Sequence, residues 1–124
     1  MPEPIKVLLA GDHPVVRVGL ASQLKTAGDV RLLGEAGSPQ EVFEKAIALQ
    51  PDFIILDVTT TKLDWPQTII SLRAGLKTGR LLVYTISPTR DELKEAEKAG
   101  AWAALPFNFS LRQILNLLRT GRAV

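Results

Sequence analysis

A chain of 124 residues, 46% hydrophobic and 23% charged, has the size and composition of one globular domain with a core of its own. Its net charge of +2, from 15 Lys and Arg against 13 Asp and Glu, is spread without a basic cluster and excludes a nucleic-acid surface built on charge. The absence of cysteine excludes a disulfide framework and a thiolate metal site, and the apolar stretches are too short for a membrane span or a signal peptide. A cytoplasmic location is expected.

Strand-like and helix-like segments then alternate from end to end. The first apolar run, Ile5 to Gly11, ends in Asp12. From Pro14 to Ala27, Val16, Leu20 and Leu24 recur at a spacing of four and predict a helix, with Pro14 suited to its first turn. Val30 to Glu35 is the second strand candidate. Ser38-Pro39-Gln40-Glu41 is a capping box ahead of Val42, Phe43, Ala46 and Ile47, and Pro51 ends that helix. Phe53-Ile54-Ile55-Leu56-Asp57 is a short buried-type strand closing on a second carboxylate. Ile69, Leu72 and Leu76 form the next apolar stripe. Arg80 to Thr85 is a fourth strand, ending in a hydroxyl. Thr89 caps a fourth helix that is expected to stop at Gly100, and Ala101 to Leu105 is a weak fifth strand. Ser110 caps a last helix carrying Leu111, Ile114, Leu115 and Leu118, with its end expected at Gly121.

Five strand-then-helix repeats imply a parallel sheet with helices on both faces. An open α/β sheet binds its ligands outside the carboxyl ends of the strands. Two acids, Asp12 and Asp57, and the Thr85 hydroxyl at three such ends point to a cation and phosphoryl site. His13, the single histidine, lacks the partners of a metal or catalytic group and reads as a helix-start residue. No G-x-G-x-x-G follows the first strand and no G-x-x-x-x-G-K-[ST] occurs, so a nucleotide cradle is missing.

Gly11-Asp12-His13-Pro14-Val15-Val16-Arg17-Val18-Gly19-Leu20, Gly34-Glu35-Ala36-Gly37-Ser38, Pro51-Asp52 and Leu56-Asp57-Val58 stand in an order and spacing that resemble the receiver domain of two-component response regulators. The likeness is strongest to the LuxR-type (NarL/FixJ) group and covers essentially the whole chain, residues 1–124. The resemblance implies one receiver domain with the flavodoxin-like (βα)5 doubly wound sheet of strand order 2-1-3-4-5, acting as a signalling module rather than an enzyme. It implies that Asp57 is the phosphoacceptor, that Mg²⁺ is held by Asp12, Asp57 and the Thr59 carbonyl, and that the Thr85 hydroxyl contacts the phosphoryl group and serves the switch.

The chain departs from the family's pattern at three positions. Gly11 replaces the first member of an acidic pair, Phe107 the lysine that pairs with the phosphoryl group, and Ala104 the switch aromatic. The loop after Asp57 reads Thr59-Thr60-Thr61-Lys62-Leu63-Asp64-Trp65 in place of the usual Met-Pro and glycine, and Lys62 is a nearby substitute cation. The expected function is therefore a receiver with weakened phosphoryl chemistry. The alternatives are a degenerate receiver-like interaction module independent of phosphorylation and, more remotely, a small-molecule-binding domain of the same fold. The resemblance implies a histidine kinase or phosphotransfer protein as partner. It also implies a homodimer or partner face on the fourth helix, fifth strand and fifth helix, with Trp102 as candidate anchor. Nucleic acid would be reached only through an output domain, of which the sequence carries no segment.

Overall fold

In the computed structural model, which describes residues 3–11, 14–57, 65–85, 90–106 and 110–123, five strands alternate with five helices. They run β1 (Ile5–Gly11), α1 (Pro14–Leu24), β2 (Val30–Ala36), α2 (Pro39–Leu49), β3 (Phe53–Asp57), α3 (Trp65–Gly75), β4 (Arg80–Thr85), α4 (Arg90–Ala99), β5 (Ala103–Pro106) and α5 (Leu111–Ala123). The strands pair in parallel in the order β2-β1-β3-β4-β5, the flavodoxin-like order expected.

Alternation along the central strands divides the core between two faces. Leu8, Ala10, Ile54, Leu56, Leu81 and Val83 pack with Val42, Ala46, Ile69, Leu72 and Ala96 of α2, α3 and α4. Val7, Leu9, Phe53, Ile55 and Leu82 pack with Leu20, Ala21 and Leu24 of α1 and with Ile114 and Leu118 of α5. Because both faces of β1 and β3 are covered, these strands read as continuous apolar runs, as buried parallel strands do.

The caps behave largely as the sequence predicts. Ser38 Oγ accepts from the Glu41 amide, while Glu41 Oε1 accepts from the Gly37 amide, one residue ahead of the usual partner. At α5 the box is reciprocal: Ser110 Oγ accepts from Gln113 N, and Gln113 Oε1 accepts from Ser110 N.

Three boundaries differ by two residues or more. Helix α1 stops at Leu24 rather than Ala27, because the Thr26 hydroxyl and amide both donate to the Gln23 carbonyl and turn the chain. Strand β5 begins at Ala103, two residues late, after Trp102 N has donated to Leu81 O.

The third difference is at α5, which runs through Gly121 to Ala123. A Cβ at Gly121 would lie 2.8 Å from Phe53 Cζ and 2.8 Å from a Trp102 ring carbon, so this glycine is a point of close packing, not a helix stop. The Phe53 and Trp102 ring centroids are 5.5 Å apart, and the Arg80 guanidinium stacks on Trp102 while its Nη1 donates to Gly121 O at 2.7 Å. Gly121→Ala is therefore expected to cost about 1–3 kcal/mol through overpacking. A drop in melting temperature larger than that of Gly28→Ala, whose added Cβ meets nothing within 4 Å, checks it.

Candidate functional site

Strand β1 sends its connection to β2 on one side, and β3 sends its own to β4 on the other. The sheet's topological switch point thus lies between β1 and β3, where crossovers diverge and leave a crevice at the carboxyl ends. Asp57, the last residue of β3, is at that point and is fully buried. Its register partner on β1 is Gly11, and on its other side β4 presents Tyr84. Thr85, the last residue of β4, is one position further out and pairs with Pro106 of β5. The Thr85 hydroxyl lies outside what is described, as do Asp12, Thr59, Lys62 and Phe107.

Contact between Gly11 and Asp57 is unusually close. A Cβ built on Gly11 would stand 2.7 Å from Asp57 Cβ and 3.2 Å from Asp57 Oδ2. The phosphoacceptor candidate therefore fills the space that a side chain at position 11 would take. Among the described residues no group of three or more His, Cys, Asp or Glu side chains converges as a metal cluster. Asp57 is the one described member of the expected Mg²⁺ set, and its buried carboxylate has the oxygen chemistry that Mg²⁺ requires.

Arg17 was not singled out from the sequence. It stands on α1 three and four residues before buried Leu20 and Ala21, so a cation sits on the side of the helix that meets the sheet. Its Nη1 donates to the Gly11 carbonyl at 2.6 Å, and its Nε donates to Glu35 Oε1 at 3.3 Å. From α2, Lys45 Nζ donates to the Glu35 carbonyl at 2.6 Å. The carboxyl ends of β1 and β2 are thereby tied together beside the switch point. That charged position on a buried face is the signal that could have found Arg17.

Ala104 is partly buried against the α2–α4 side of the core, opposite Val83. Trp102 is 36% exposed, but it precedes β5 and so lies at the sheet's amino edge, the end away from Asp57. Neither of two surface depressions is lined by Asp57. One of about 360 Å³ at the amino edge is lined by Lys6, Asp52 and Arg80, and one of about 490 Å³ between α2 and α3 by Phe43, Thr68 and Leu72.

Comparison with known proteins agrees with this architecture. The family model for the response regulator receiver domain matches residues 7–119. The nitrate/nitrite response regulator NarL of Escherichia coli K12 is 31% identical over 121 residues, covering 98% of this chain and 56% of that protein. The response regulator VraR of Staphylococcus aureus Mu3 is 30% identical over 115 residues, covering 93% of this chain and 55% of that one. The chain thus spans about half the length of the curated relatives it matches. The receiver domain of the putative response regulator NarL from Mycobacterium tuberculosis superimposes with a TM-score of 0.88 at 25% identity, covering 99% of this chain and 100% of that one. No helix among the described residues is long and apolar enough to cross a membrane. With a family match over residues 7–119, NarL-type relatives and a buried aspartate at the switch point, this chain belongs to the response regulator receiver domains of two-component systems, in their NarL/LuxR-type group.

Proposed function

We propose that Asp57 accepts a phosphoryl group from a histidine kinase or phosphotransfer protein in the cytoplasm, with chemistry weaker than the family norm. The observation that carries this is the fully buried Asp57 carboxylate at the carboxyl end of the switch-point strand. In the transfer, an Asp57 oxygen bonds to phosphorus as the phosphorus–nitrogen bond of a phosphohistidine breaks. The imidazole leaves and an acyl phosphate remains. Asp12, Asp57 and the Thr59 carbonyl would hold Mg²⁺, which supplies positive charge to offset that of the phosphoryl oxygens. The Thr85 hydroxyl contacts the phosphoryl group.

A second reading is favoured by Gly11: the domain is a receiver-like interaction module that works without phosphorylation. A carboxylate is missing from the metal set, and Asp57 is packed where that carboxylate would begin. Under either reading the partner face is α4, β5 and α5, with Trp102, 36% exposed, as an anchor for a partner or a second copy.

Incubation with acetyl phosphate and Mg²⁺ separates the two, read by intact mass. The expected result is a partial gain of one phosphoryl group that requires Mg²⁺ and is absent from Asp57→Asn. A folded parent protein that gains none at saturating donor overturns the phosphotransfer reading in favour of the interaction module.

A further inference from the structure

We infer that α5 is a pivoted helix: Arg80 and Arg119 fasten its C-terminal end at the amino edge of the sheet, and its N-terminal half is the part that shifts when the carboxyl edge changes. A change at the carboxyl edge rests on the phosphotransfer reading above; the fastening does not. Helix α5 starts beyond β5, whose last residue, Pro106, pairs with Thr85 at the end of β4, and it runs back to the amino edge. There Gly121 packs on Phe53, the first residue of β3, and on Trp102, which precedes β5.

Polar fastening is confined to that end. The Arg80 Nη1 bond to Gly121 O joins the first residue of β4 to the last turn of the helix, where a cation also complements the helix dipole. The guanidinium stands 5.4 Å from the centroid of the Trp102 ring, which limits how it can turn. Arg119 adds a second tie: its Nε and Nη2 donate to the two Asp29 oxygens at 2.5 and 2.9 Å, linking the same turn to the loop between α1 and β2. Both side chains of that pair are exposed, so its worth lies in the direction fixed by the two-bond fork. Among the described residues, 111–118 make no side-chain hydrogen bond or ion pair to another element. Apolar packing alone seats them, through buried Ile114 and Leu118 and partly buried Leu111, Leu115 and Leu117. Burial of that kind is non-directional and tolerates a small tilt, whereas the bonded end does not. Movement of α5 is therefore a swing about residues 119–121.

The test is amide hydrogen exchange across α5 in the parent, Arg80→Met, Arg80→Lys and Asp29→Asn, with melting temperature on the same samples. An unfastened helix end frays, and amides 119–122 would then exchange faster than 114–117. The parent is expected to show the reverse order. Arg80→Met should speed 119–122 about 10-fold relative to 114–117. Arg80→Lys should recover part of this, since it keeps the charge and loses the stacked fork, and Asp29→Asn should show a smaller effect of the same kind. Amide shifts on labelling with acetyl phosphate and Mg²⁺ then locate the swing. In the parent they should be largest in the first half of α5 and fade toward 119–122; in Arg80→Met they should extend through the last turn with the extent of labelling unchanged. Faster exchange at 119–122 than at 114–117 in the folded parent overturns the fastening. Shifts of equal size along α5, or none in a labelled protein, overturn the pivot and leave the phosphotransfer reading standing. If the parent is not labelled, the phosphotransfer reading fails, and the inference is decided by exchange alone, slower at 119–122 supporting it and faster overturning it.

Discussion

Replacing Gly11 with alanine is expected to destabilise the domain by about 1–3 kcal/mol and to push the Asp57 side chain off its seat against β1. The added methyl would start 2.7 Å from Asp57 Cβ, well inside van der Waals contact, and both residues close neighbouring strands. Nothing flexible is available to yield. Asp57 is fully buried, and the Gly11 carbonyl is held by Arg17. Gly11→Asp adds a second negative charge to the same collision, and like charges at that distance oppose joint ionisation. Without divalent cation it should therefore melt below Gly11→Ala. Mg²⁺ should narrow the gap, because a cation between residues 11 and 57 converts the repulsion into shared coordination. Thermal melts of both variants with and without Mg²⁺ check this. Gly11→Ala melting with the parent would show that the crowding is relieved at no cost. A Gly11→Asp variant indifferent to Mg²⁺ would show that positions 11 and 57 do not share a cation site.

That steric coupling was not legible in the sequence, although the glycine was. Gly11 stands out against the family's acidic pair, but only the strand register reveals that its missing side chain is replaced in space by Asp57. Strands β3 and β4 were readable residue by residue because each is an unbroken apolar run behind a turn, Pro51-Asp52 in one case and Gly79 in the other. Strand β5 was readable only as a location. Ala101, Ala103 and Ala104 carry little strand preference, and pairing with β4 sets where it begins. The end of α5 was misread for a related reason. Glycine after a helical stripe usually marks a stop, yet at Gly121 the demand is room for Phe53 and Trp102. Arg17 shows the general limit. Its partners, Gly11 and Glu35, belong to two strands that only the crossover topology makes adjacent. Of the expected site, Asp57 is observed at the switch point and Thr85 at the end of the next strand, whereas Asp12, Thr59 and Phe107 lie outside the described residues.

Phe107→Lys is expected to raise phosphoryl labelling of Asp57 by about 10–100-fold, measured as the initial rate with acetyl phosphate or as the lifetime of the labelled form. Charge-assisted hydrogen bonds contribute about 1.5–3 kcal/mol, and each 1.4 kcal/mol is a factor of ten. A phenyl ring can donate none. Position 107 directly follows β5, whose last residue, Pro106, pairs with Thr85 at the end of β4. A lysine there would bring a flexible four-carbon stem with a compact charge suited to a phosphoryl oxygen. The gain should disappear in the Phe107→Lys, Asp57→Asn double variant, since the lysine acts on the acyl phosphate and not on the fold. Melting temperature is measured alongside, because exchanging an aromatic ring for an ammonium can cost stability independently of chemistry. Lys62 provides a further control. If it already supplies the missing cation, Lys62→Ala should lower labelling in the parent and have little effect once Phe107 is lysine. Unchanged labelling in a folded Phe107→Lys protein would mean that loss of the cation at position 107 is not what weakens this receiver.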